Sequence, residues 1–165
     1  MFINSLCPLL NELERIAQWI GNTYPELNER RIVIIIQTQG QRHCLGLYTP
    51  RKWCNDDKIL DEIQVSSEWL HRPVMEIVGI IIHEMCHMLA EVRGINDATK
   101  NGHHNKHFKK IAEEVGLTVD KPIDFRGYTY TSIGNQLKER MLREVQFNEK
   151  VFNLFQIIQR NNSTE

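Results

Sequence analysis

The chain has 165 residues, of which 41% are hydrophobic and 25% charged, and its 20 basic and 21 acidic side chains leave a formal net charge of -1. That length suits one domain with a real core, and the composition excludes wholesale disorder. The 4 cysteines, Cys7, Cys44, Cys54 and Cys86, contain no C-x-x-C pair, which excludes both a disulfide framework and a zinc ribbon.

In chain order, the opening stretch is apolar but lacks a basic leader, and Glu12, Glu14 and Arg15 interrupt it. No signal or membrane span is expected, and the reading is a cytoplasmic protein. Residues 5 to 20 set Leu6, Leu9, Leu10, Leu13, Ile16, Ala17 and Ile20 at helical spacing, closed by Gly21 and Asn22. The β-branched run within 31 to 38 predicts a strand covered on both faces. Two less apolar strands are expected over 43 to 49 and 60 to 66, joined through a loop from Pro50 to Lys58.

Pro73 can open a helix at no hydrogen-bonding cost, and no strong breaker follows between Val74 and Val92. From Ile77 to Ile82 this helix is apolar on nearly every side, which sends it through the core. After a loop from Gly94 to Gly102, another helix is expected from about His104 to Val115, stopping at Gly116. Residues 119 to 133 read as irregular or extended. A last helix, Asn135 to Gln159, repeats Leu137, Met141, Val145, Phe152, Phe155 and Ile158. The expected fold class is α+β: a small three-stranded sheet on a central helix, with N-terminal, third-ligand and C-terminal helices. One domain over 1–134, a helix packed on it over 135–160 and a loose tail over 161–165 are the expected boundaries.

The core helix carries His83-Glu84-Met85-Cys86-His87, the pattern H-E-x-x-H. At 3.6 residues per turn His83 and His87 project from one face and can chelate one ion, while Glu84, rotated by about 100°, reaches beside it as a general base. Two histidines and a carboxylate inside a buried helix would be costly without a partner. A catalytic zinc takes three protein ligands, and His103, His104 and His107 all lie in the next segment. A helical wheel puts His104 on the apolar face of Phe108, Ile111, Ala112 and Val115, so His104 is the expected third ligand and the other two are expected in solvent. Cys86 reads as a small buried hydrophobe, and Asp97 as an acceptor for the distal N–H of a ligand histidine. Gly79 and Ala90 would leave room for a neighbouring element or substrate.

Several segments in order, Gly46-Leu47-Tyr48-Thr49 with Trp53, Ile63 to Ser66, Leu70 to Pro73, His83 to His87 and His104-Asn105-Lys106-His107-Phe108, resemble the SprT-like (Spartan-like) family of zinc metalloproteases. The resemblance spans about residues 25 to 131 and is nearest the short bacterial and mobile-element members. It implies a minimal zincin-like fold, one zinc ion per chain on His83, His87 and His104, peptide hydrolysis with Glu84 as base, and work on DNA-associated proteins. It also implies an aromatic stretch at Gly127 to Thr131, one tyrosine of which would stabilise an oxyanion. The family's cysteine-rich ribbon has no counterpart beyond Cys86.

The expected partner is therefore a protein or peptide substrate, with DNA association through Lys106, Lys109, Lys110, Arg140 and Arg143 as a lesser expectation, and no membrane. A regulatory zinc peptidase that cuts a single partner such as a repressor, and a binding module in which zinc is structural, are the alternatives. Residual activity of a Glu84→Gln variant would separate catalysis from mere metal binding.

Overall fold

Apolar residues at helical spacing produce the first element, α1 (Cys7–Thr23), which buries Leu9, Leu13, Ile16, Ala17 and Ile20. The structure, a computed structural model, describes residues 3–38, 44–122 and 127–156. The expected tail and the end of the last expected helix lie outside the described residues.

Three strands follow, β1 (Ile32–Gln37), β2 (Gly46–Asn55) and β3 (Lys58–Ser66), in the spatial order β1-β3-β2. β3 lies parallel to β1 and antiparallel to β2. Among the described residues β1 is thus an edge strand, and of its apolar run only Ile34 is buried, paired with the buried Ile63. Coverage on both faces, expected from the β-branched run, is not what the strand has: β-branching favours a pleated surface whether it is covered once or twice.

The expected loop from Pro50 to Lys58 is largely strand. β2 continues to Asn55 and turns tightly at Asp56 and Asp57 into β3. Pro50 is accommodated because β2 is the other edge, where a missing N–H costs no ladder bond. The register slips between Thr49 and Trp53, and Arg51 there takes the left-handed φ of 54°. Buried Asp61 fixes this bulge: its Oδ1 accepts the Arg51 backbone N–H at 2.8 Å, and its Oδ2 accepts the Tyr48 hydroxyl at 3.0 Å and the Arg30 guanidinium at 2.5 Å.

α2 (Val74–Val92) has the expected span and buries Ile77, Val78, Ile80, Ile81, Ile82, Met85, Met88 and Leu89, against both α1 and the sheet. α3 (Lys106–Val115) begins later than the wheel assumed. Asn105 is extended and its side chain accepts the N–H groups of His107 and Phe108, a helix cap that leaves His104 outside the helix. Gly116, at φ 106°, ends α3 in the left-handed conformation a glycine stop provides.

Beyond it, β4 (Leu117–Val119) and β5 (Thr131–Ile133) pair antiparallel within the stretch read as irregular or extended. α4 (Asn135–Glu144) is much shorter than the expected helix to Gln159. Gln146 adopts φ 49° and the Asn148 side chain caps a separate 3₁₀ turn, so the backbone cannot continue as a helix. Val145, Phe147 and Phe152 are nonetheless buried, whereas Phe155 is exposed. The α+β class holds, and no helix among the described residues is long and apolar enough to cross a membrane.

Leu137 and Met141 on α4 belong to the same buried cluster as α1 and α2. Met141→Ala, which empties a fully buried position, should cost about 2–5 kcal/mol in urea unfolding. A loss near zero would show that α4 is not part of the core.

Candidate metal centre

His83 and His87 stand one turn apart on α2, with ring centroids 5.2 Å from each other. His104 joins them from a short extended segment held by backbone bridges to Ala98 on one side and Gly127 on the other. Its ring lies 4.9 Å from His83 and 4.8 Å from His87. One nitrogen from each ring comes within 4.8 Å of the other two, and the Nε2 atoms of His87 and His104 are 3.0 Å apart. Tetrahedral ligands on one zinc, at the usual bond length, would be separated by about 3.3 Å, so the cluster has the size and the donor set of a three-histidine metal site.

What holds the imidazoles is legible from their far sides. The Nδ1 of His87 donates to Asp97 Oδ2 at 2.5 Å, the partnership expected for Asp97. The Nδ1 of His83 lies 2.9 Å from the Thr131 hydroxyl, an interaction that no spacing in the sequence marks. The Nδ1 of His104 is near the Tyr128 backbone but has no hydrogen bond of ordinary geometry. With these contacts on Nδ1, Nε2 is the nitrogen each ring of the first pair turns inward.

Phe108, fully buried, closes the floor beneath all three rings. Its centroid is 4.1 Å from His104 and 4.7 Å from both His83 and His87. The aromatic four residues after His104 therefore limits the rotamers of the whole triad. It also keeps water from one side of the rings, each of which is partly buried. Burial, then the neighbouring His87 and His104, hold His83 well below its ordinary pKa of 6.5, and burial followed by His87 pushes His104 down to about 4. Both are neutral at pH 7, the state a ligand must have. For His87 burial works the same way and is the largest single influence, but the Asp97 bond together with the charges of Glu84 and Asp97 outweighs it and raises the pKa.

Glu84 is buried between α2 and β2. Burial raises its pKa from 4.5 to about 7, against the opposing pull of His87 and the Tyr48 backbone N–H. The close approach of β2 needs Gly46: a Cβ there would sit 2.7 Å from Glu84 Oε1 and 2.5 Å from Ile80 Cγ2. Gly79 is different, since a Cβ would meet Ile133 at an ordinary 3.7 Å.

The other candidates separate. His107 is exposed and His103 half-buried, and neither joins the triad. Cys86 is buried, its thiol donating to the Ile82 carbonyl and pushed up in pKa by burial. Tyr130 is half exposed, and Tyr128 packs under Lys109 with the Nζ 5.5 Å from its ring. Among the basic residues read as a patch, Lys109 pairs with Glu113, Arg140 and Arg143 with Glu144, and Arg140 also stacks over Trp19.

A family model described as SprT-like family matches residues 13–127, which includes all three histidines and Glu84. No curated protein and no solved structure matches the chain.

If the cluster holds an ion, the protein reconstituted with zinc and dialysed should carry one equivalent. Asp97→Ala should then weaken zinc in a chelator competition by about 10- to 100-fold, the usual effect of removing a ligand histidine's partner. Unchanged affinity would mean that Asp97 does not orient His87 for a metal.

Proposed function

The chain belongs to the SprT-like family, and on that premise we propose that it is a zinc-dependent peptidase with Glu84 as its general base. The observation that carries this reading is a single one: the buried carboxylate of Glu84 stands on α2 between His83 and His87, which converge with His104 on one point. A structural zinc site uses a fourth protein ligand and has no need of a base, and among the described residues no fourth histidine, cysteine or carboxylate joins the triad.

Zinc held by His83, His87 and His104 would supply Lewis acidity, acidifying an attacking water and polarising the scissile carbonyl. Glu84 has the placement to take the water's proton and pass it to the departing amine as the C–N bond breaks. A cation among the imidazoles would favour the ionised form of Glu84 before attack. Asp97 and Thr131 keep the histidine rings from turning, and Phe108 keeps water from the underside.

β2 supplies a surface for substrate. Among the described residues it pairs only with β3, and its start, Gly46 to Tyr48, runs beside Glu84. An extended peptide adding to that edge would be held chiefly through main-chain hydrogen bonds, which read little sequence. Broad cleavage of proteins follows, and DNA-associated proteins are the class that the family resemblance singles out for trial.

Zinc content and cleavage of casein and of DNA-bound histone, measured side by side, test this. Glu84→Gln should keep the zinc of the wild type and lose at least about 100-fold in cleavage, the scale of a missing general base. A zinc-loaded wild type inactive on both substrates would overturn the peptidase reading, and a fully active Glu84→Gln would overturn the role of Glu84.

A further inference from the structure

We propose that residues Gly127 to Thr131 clamp the metal centre together, with Thr131 as a positioning residue that fixes the His83 imidazole through its hydroxyl. This rests on the metal reading above and deepens it. The matched family segment ends at residue 127, so Thr131 lies outside it.

The clamp touches two of the three histidines, from two different elements. At one end the Tyr128 N–H donates to the His104 carbonyl at 3.2 Å and Gly127 bridges His104. This approach requires glycine, because at φ 73° a Cβ on residue 127 would lie 2.2 Å from the His104 carbonyl oxygen. At the other end Thr131 Oγ1 is 2.9 Å from His83 Nδ1. Next along the strand, Ile133 packs on Gly79, one turn before His83 on α2. The same short segment therefore ties the third histidine to the helix that bears the first two.

The segment around His104 also has a second flank. Ala98 bridges it there, Asn105 N–H donates to the Asp97 carbonyl at 3.0 Å, and Asp97 serves His87. His104 thus lies between two extended neighbours, one supplying the distal partner of His87 and the other that of His83. Thr131 has a defined chemical task in this arrangement. With its oxygen as acceptor, the His83 proton resides on Nδ1 and the Nε2 lone pair is presented to the ion. A hydroxyl does this without the negative charge that Asp97 brings to His87.

Three full-length variants test the clamp against wild type, read by zinc competition with a chromophoric chelator, by the visible spectrum of the cobalt(II) form and by urea unfolding of the zinc-free protein. Thr131→Val should weaken zinc by about 10- to 100-fold and shift the cobalt spectrum, with the zinc-free unfolding midpoint unchanged. Thr131→Ser, which restores the hydroxyl, should recover both metal readouts. Ile133→Val loosens the same strand without touching His83 and should bind zinc as wild type does. The clamp is overturned if Thr131→Val binds zinc normally, if it loses the zinc-free fold and so marks the hydroxyl as a folding requirement, or if Ile133→Val weakens zinc equally. Wild type that takes up no zinc would instead overturn the metal reading, and this inference with it.

Discussion

Taking a carboxylate and imidazoles out of water inside a helix that also forms the core is the constraint that orders this structure. α2 is buried along most of its length, and the desolvation of Glu84 outweighs the opposing influence of His87 and the Tyr48 backbone N–H. The surrounding elements answer that cost one group at a time. Asp97 and Thr131 take the distal sides of two histidines, the Tyr48 backbone faces Glu84, and Phe108 packs beneath the three rings. Each comes from a different segment, so the polar centre of α2 determines where the neighbouring segments must pass.

The sheet shows the same dependence. β2 reaches Glu84 only because residue 46 has no side chain, and it is held in that position by a second buried carboxylate, Asp61, on the adjacent strand. Asp61 in turn is satisfied by Arg30, which is about a quarter exposed, so the charge it buries is partly shared with water. Two carboxylates thus govern β2: one sets its distance from the helix and the other its bend. Both must remain in place for the start of β2 to stay packed against α2.

The central helix and its motif were legible because both depend on local regularities: a long apolar run after Pro73 and two histidines spaced by one turn. Asp97 was legible from chemistry, since a ligand histidine needs an acceptor. His104 follows from the family resemblance and from a helical wheel, and the wheel does not apply, because Asn105 caps α3 after it; the residue belongs to an extended segment whose position is set by pairing with Ala98 and Gly127. Thr131 was not legible at all, since its contact with His83 spans 48 residues and a lone threonine has no spacing to betray it. The length of α4 failed for a related reason. Apolar residues recur at helical intervals beyond Glu144, but they are buried from an irregular backbone, and burial alone does not reveal which backbone presents it.

The bend at Pro50 and Arg51 also limits what may lie alongside β2. Only the flat stretch from Gly46 to Thr49, about 13 Å at the usual rise per residue, runs straight before the register slips. The regular part of that edge is therefore short, four residues between the loop before it and the slip after it. Beyond it the bend and the proline interrupt the edge, so a ladder of hydrogen bonds cannot be extended along the whole of β2 without a break.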